Sequence, residues 1–277
     1  MTRRIAITTL IENAPSAHRA LACEWGLSFH VRTKDRAFLF DCGATDSLLA
    51  NARQLRIDVS RLDFIVLSHA HFDHCGGFRA VVETSSCNRV ITGEGFFEPK
   101  FAREGMRHSY IGPDFDLVYL AEKGVTHETC PELIEIDDRI WLVGGVERTF
   151  AIEQIPARFV VERDDAFIHD TFADEIFMAC RFEDGLALIV GCSHPGIVNM
   201  VRTAEKRLAL PVRGIWGGTH LYGADDARLD VTLEELREMG VKYFGLTHCS
   251  GDALLQRLAA EEGIECCRLS TGDGIYL

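Results

Sequence analysis

The chain is 277 residues long, 47% hydrophobic, with a formal net charge of −13 at pH 7. Such a length and apolar content can bury one large core and argue against a disordered chain. The charge weighs against nucleic acid or an anionic membrane surface as partner, because a polyanion is repelled at long range. No run of about 18 apolar residues offers a membrane span.

Met1-Thr2-Arg3-Arg4-Ile5 carries two arginines but no long apolar stretch of the secretory kind, so a cytoplasmic location is expected. Ten cysteines without C-x-x-C spacing read as reduced thiols in that compartment. They carry no iron–sulfur spacing motif. The segment Ile5–Ile11 reads as a buried strand. Leu27–Val31 and Ala37–Phe40, separated by the polar Thr33–Arg36, predict a hairpin that ends in Asp41-Cys42-Gly43. A helix is predicted over Ser47–Leu55, with Leu48, Leu49, Ala52 and Leu55 on one face. The apolar run Phe64-Ile65-Val66-Leu67 predicts the next strand.

Between about 96 and 162 the periodicity degrades, and Ile140–Val143 alone stands out as a strand. This stretch reads as an insertion or cap within a single domain spanning 1–277. Strands and helices then alternate. Leu186–Val190 is a strand, followed by a helix expected to start at Pro195, with Ile197, Val198, Val201, Ala204 and Leu208 as its apolar stripe. Val212–Trp216 is a strand, Thr232–Met239 a helix closed by Gly240, and Tyr243–Leu246 a strand. Ala253–Ala260 is a last helix before a final strand reaching Leu277. The alternation suggests α/β layering.

His69-Ala70-His71-Phe72-Asp73-His74 follows the Phe64 strand and precedes Gly76-Gly77. Neutral imidazole and ionised carboxylate are the usual ligands of borderline divalent cations such as zinc. On an extended segment, side chains two apart project to the same side, so His69, His71 and Asp73 are expected to converge. A turn, eased by the glycines, would bring His74 into the same space. His194, His220 and His248 also sit at the exits of apolar strands. One such histidine is more often a loop residue; four, one of them inside H-x-H-x-D-H, point to a metal centre.

The segment Ser68–His74 resembles the signature of the metallo-β-lactamase superfamily of metal-dependent hydrolases. The resemblance implies an αββα sandwich of two mixed β-sheets flanked by helices, with a dinuclear site on one edge. In that family the residues matching His69 and His71 help bind one divalent ion, and those matching Asp73 and His74 a second. His194 matches the histidine that completes the first site, and His248 the one that completes the second. Two divalent ions are the implied cofactors, zinc foremost, with iron or manganese as alternatives. His169 is the fallback third ligand, and His220 is expected to touch substrate rather than metal. The family's bridging Asp has no counterpart here, since the matching place reads Gly191-Cys192. Cys192 either takes the bridge as a soft thiolate, or lies inert, or no protein bridge exists. Asp41 matches the Asp that supports the metal loop by accepting a ligand's other ring N–H; the plainer alternative is a turn residue. Asp73 is a ligand, an orienter of the attacking water, or both.

A narrower resemblance rests on Glu24–Phe29, Leu39–Gly43, Gly191–Asn199, Gly217–Leu221 and Thr247–Gly251. Together these are similar to the dihydropteroate-synthase-like branch, named after an archaeal methanopterin-pathway member. Trp25 stands where His is expected in that branch. The expected activity is hydrolysis of an ester, phosphoester or anhydride of a small molecule by a hydroxide held between the two ions. No protein nucleophile is needed, and Ser193 lacks the G-x-S-x-G elbow. The alternatives are a transferase acting on a pterin diphosphate, and a non-catalytic metal-dependent binding protein. A redox role would need a flavin domain for which the chain has no room.

Overall fold

The computed structural model describes residues 4–277; the reading of the N-terminus at Met1, Thr2 and Arg3 lies outside the described residues. Two seven-stranded sheets face each other. The first runs, edge to edge, Gly274–Tyr276, Ala6–Ile11, Ser28–Arg32, Ala37–Phe40, Phe64–Val66, Arg89–Thr92 and Thr126–Thr129. The second runs Glu265–Arg268, Tyr243–Leu246, Val212–Gly217, Gly185–Val190, Phe177–Phe182, Ile140–Val143 and Leu133–Asp137. Each mixes antiparallel pairs with a parallel half.

Period-two alternation decides which face each side chain takes. Phe38 and Phe40 enter the inter-sheet core with Phe29, Phe64, Ile140, Met178 and Ile189. Leu39, between them, points the other way and packs with Leu48 and Ala52 of the helix Ser47–Gln54. On the far side, Leu186, Leu188 and Val190 pack with Ile197, Val201 and Ala204 of the helix Ile197–Leu208. Helix, sheet, sheet, helix is thus the layer order, the expected αββα sandwich. Truncating one of these central phenylalanines to alanine would cost about 3–5 kcal/mol.

Three local expectations differ from the structure. The helix expected at Pro195 begins at Ile197 instead. Ser193 and Gly196 take positive φ of 60° and 106°, and that turn holds Pro195 outside the helix. The helix expected over Thr232–Met239 starts earlier, at Asp226, with Asp225 accepting from the Arg228 amide. Its first turns alternate charged Asp226, Arg228 and Asp230 with apolar residues, which hid them from the helical apolar pattern. Finally, the stretch from about 96 to 162 is distributed over all three sheets. Thr126–Thr129 joins the first, and Leu133–Asp137 and Ile140–Val143 join the second. Lys100–Glu104 and Arg107–Tyr110 pair with Phe159–Arg163 and Ala166–His169 in a separate four-stranded antiparallel sheet. Short edge strands with polar faces, such as Thr126–Thr129, carry too little apolar alternation to be read alone.

Candidate metal centre

Parallel strands deliver their carboxyl ends to one edge, where open α/β sheets place their ligands. Asp41 follows Ala37–Phe40, and His69 follows Phe64–Val66. From the second sheet, Cys192 and His194 follow Gly185–Val190, His220 follows Val212–Gly217, and His248 follows Tyr243–Leu246.

The motif is extended only as far as His71, at φ −105° and ψ 142°. Phe72–Cys75 then form a single helical turn, with the His74 and Cys75 amides donating to the His71 carbonyl. The expected convergence of His69, His71 and Asp73 therefore does not occur. The turn starts one residue before Asp73 and sends it and His74 to a second group. His69, His71 and His194 bring ligand atoms within 4.8 Å of one another, and so do Asp73, His74 and His248. Gly76 and Gly77 serve by close approach rather than by unusual φ. A Cβ on either would stand 2.2 Å from a backbone oxygen of the 42–44 loop.

Asp41, fully buried and at φ 63°, organises this edge. One carboxylate oxygen accepts from the Ser68 amide at 2.7 Å; the other accepts from Ser68 Oγ at 2.8 Å and faces His74 Nδ1 at 2.7 Å. Ser68 Oγ also lies 2.9 Å from His69 Nδ1. With Ser68 donating to Asp41, this network places protons on both Nδ1 atoms and leaves both Nε2 lone pairs facing inward. The turn-residue alternative for Asp41 does not describe these contacts.

Several buried imidazole nitrogens meet no donor or acceptor. His69 Nε2, His71 Nε2, both nitrogens of His194 and His248 Nδ1 are buried without a hydrogen-bond partner among the described residues. A buried polar atom left unpaired costs about 1–3 kcal/mol, so such a cluster is poorly explained as packing. Burial holds His69, His71, His194 and His248 well below the ordinary imidazole pKa, with neighbouring histidines adding to the effect. Neutral imidazoles with free lone pairs are the form a divalent cation binds. His74 differs. Burial opposes its charge, but Asp41 and Asp73 outweigh this and push it up to about 9. A cation at Nε2 would displace that second proton and take the lone pair it occupies.

Cys192 lies between the two groups, its Sγ 3.1 Å from His74 Nε2 and 3.5 Å from His248 Nε2. It also clusters with His69 and His74, and separately with His248 and Cys249. Burial and the adjacent Cys249 thiol hold its own thiol well above the ordinary range. A coordinated cation reverses that preference outright.

The family model that matches residues 26–178 is described as the metallo-beta-lactamase superfamily. The chain belongs to that superfamily. It is 31% identical, over 89% of its length and 88% of the relative's, to the 7,8-dihydropterin-6-methyl-4-(beta-D-ribofuranosyl)-aminobenzene-5'-phosphate synthase of Methanocaldococcus jannaschii. An uncharacterized protein of the same organism is 30% identical over 91% of this chain and 93% of its own. Among solved structures, Tm1679, described as a metal-dependent hydrolase of the beta-lactamase superfamily, superposes with a TM-score of 0.83. It is 26% identical and covers 98% of both chains.

In this superfamily member the remaining sequence candidates separate. His169 is exposed on the small sheet, outside every cluster. His220 stands 4.3 Å, ring to ring, from His194 but joins no ligand group. It lines the cleft above the histidines together with Trp25, Phe72, Arg158 and Phe159. Burial and the Arg158 charge lower the His220 pKa to about 4.

Sequence reasoning missed the acidic residues that hold the loops. Glu175 accepts from the Ser193 and His194 amides at 2.6 and 2.8 Å. Asp174 accepts from the Ala70 amide at 2.8 Å and pairs with buried Lys100 at 2.9 Å, tying the small sheet to the motif. Glu12 approaches His248 Nδ1 at 4.0 Å. Phe172, stacked on His194 at 3.9 Å, was also missed. Each contact joins residues far apart in sequence, and no local spacing signals it.

Proposed function

We propose that this chain is a dinuclear metal-dependent hydrolase of a small-molecule ester, phosphoester or anhydride, working in the cytoplasm. The observation that carries the reading is a pair of buried ligand groups at one sheet edge, with the inner nitrogens of His69, His71 and His194 unpartnered in the first and Asp73, His74 and His248 gathered within 4.8 Å of one another in the second. His69, His71 and His194 would hold one ion, and Asp73, His74 and His248 the other. Cys192 sits where it can serve both. When bound, two divalent cations polarise the scissile group and lower the pKa of water to near neutrality.

The rest falls to the chain's own side chains. Asp41 fixes the tautomers of the motif histidines through His74 and Ser68. Asp73 offers a carboxylate on the cleft wall that can orient water. Trp25, Phe72 and Phe159 present aromatic faces, and Arg158, at the mouth, supplies positive charge for an anionic substrate. A net charge of −13 favours a small ligand over nucleic acid. No helix among the described residues is long and apolar enough to cross a membrane.

A second reading is favoured by the pterin synthase relative, aligned over most of both chains. In it the same edge serves displacement of diphosphate from a pterin diphosphate. Elemental analysis combined with a substrate screen tests both. About two ions per chain, with turnover of phosphoesters, thioesters or lactones in water, supports the hydrolase. Diphosphate release that requires an aromatic acceptor supports the transferase. Asp73→Ala and His74→Ala should lower metal content and abolish turnover while the circular dichroism spectrum is kept. Full activity in both variants would end the dinuclear reading.

A further inference from the structure

A second cleft, of about 450 Å³, lies at the far end of the first sheet from the histidines. Ala37, which lines it, begins the strand whose other end delivers Asp41 to the metal edge. Its floor is the outer sheet face. Thr8 pairs with His30 and Ala6 with Arg32, while Ile7 and Val31, between them, face the inter-sheet core. The helix Ser47–Gln54 covers the outer face at Leu10 and Leu39 but stops short of these residues. Residues Leu55 to Arg61, leaving that helix, form a side wall, and Tyr276 contributes the opposite strand.

The charge there is opposite to that of the molecule. Arg32, Arg56 and Arg61 line the cleft, and none forms a salt bridge among the described residues. Arg4 lies close by, over the Tyr276 ring at 5.1 Å. The one acidic lining residue, Asp58, is engaged by the Ser60 amide and hydroxyl at 2.9 and 2.6 Å, with Arg61 within electrostatic reach. On the floor His30 is 6% exposed, and its Nε2 has no hydrogen-bond partner among the described residues. Guanidiniums that line one cleft repel one another, and an anion bound between them would relieve that repulsion. Their planar forks match phosphate oxygens two at a time, and the volume lies within the range of small-molecule pockets, about 300–1,000 Å³.

We propose that this cleft binds a phosphorylated small molecule, with Arg32, Arg56 and Arg61 holding its phosphate groups and His30 donating from the floor. The site is independent of the metal centre. Its position, one strand length from Asp41, suits a ligand that acts on the enzyme without competing for the reacting edge.

Calorimetric titration of the purified full chain with inorganic pyrophosphate and, separately, with AMP tests the proposal. Binding of one equivalent per chain at this cleft is expected, in addition to any of these phosphates that the metal edge takes as substrate analogues. Equal affinity for the two assigns the site to free phosphate groups. Tighter binding of AMP assigns it to a nucleotide whose ring lies on Tyr276. Arg56→Gly and Arg61→Ala should each weaken binding by about 10-fold. Arg56 occupies φ 57°, a left-handed conformation that favours glycine, so Arg56→Gly should keep or raise the melting temperature and separate lost binding from lost folding. His69→Ala, which removes a metal-edge imidazole, should keep the cleft's equivalent of both titrants at the parent's affinity. Undiminished affinity in the Arg32→Ala/Arg56→Gly/Arg61→Ala variant, or loss of binding in His69→Ala, would overturn the proposal. So would citrate binding as tightly as pyrophosphate.

Discussion

Asp41 shows how one buried carboxylate can decide the chemistry of two histidines. It accepts every hydrogen bond at its side chain, and the His74 Nδ1 proton has no other acceptor nearby. Asp41→Asn would set an amide N–H or a weaker carbonyl against that proton and loosen the tautomer that leaves Nε2 free. Metal affinity should fall by roughly 10- to 100-fold, as read by competition with a chromophoric chelator. Unchanged affinity would return Asp41 to the role of a turn residue. Cys192 poses a separate question, because its sulfur reaches both ligand groups. If it bridges, the cobalt-substituted protein should show intense sulfur-to-metal charge-transfer absorption that Cys192→Ser removes. Identical spectra for parent and variant would leave Cys192 an inert core thiol.

At the scale of elements, the helix Ile197–Leu208 carries the loop of His194, and its N-terminus is held by a distant carboxylate rather than by its own cap. Glu153 accepts from the Val198 and Asn199 amides at 2.9 Å each, and Gly196 gives no side-chain cap. Burial pushes the Glu153 carboxyl up from 4.5 to about 7 against the pull of those amides. Between these two pH values the folded chain keeps a proton that the unfolded chain releases, so stability falls as pH rises through this window. The loss levels off above pH 7, at about 3 kcal/mol. Glu153→Gln, which imitates the protonated form, should therefore gain about that much on its parent between pH 5 and pH 8 in urea unfolding. A relative gain below about 1 kcal/mol would refute the assignment. Glu153 also marks the boundary of what was legible beforehand. His69, His71, Asp73 and His74 share one short stretch, and His194 and His248 each follow an apolar strand, so local pattern located them. The single helical turn at Phe72–Cys75 and the carboxylates Glu12, Glu153 and Glu175 depend on contacts between distant segments, which no window of sequence contains. The edge strands around Thr126 escaped for a related reason: only the completed sheet supplies their pairing partners.

For the whole molecule, the metal edge is where the two sheets bring their ligand groups together. His69, His71, Asp73 and His74 come from the first sheet, and Cys192, His194 and His248 from the second. Ions bound there would cross-link two halves that the inter-sheet core joins elsewhere, and would bind the folded chain only. A site filled at 1,000 times its dissociation constant adds about 4 kcal/mol of stability. At about 2–4 °C per kcal/mol for a chain approaching this size, chelation should lower the melting temperature by roughly 10 °C. Adding zinc back should restore it, and His194→Ala, which draws one ligand from the second sheet, should shrink the shift. Scanning calorimetry before chelation, after it and after readdition reads all three effects. A melting temperature indifferent to chelator and to zinc would mean that packing alone holds these histidines together, and that the edge carries no cation worth several kcal/mol to the fold.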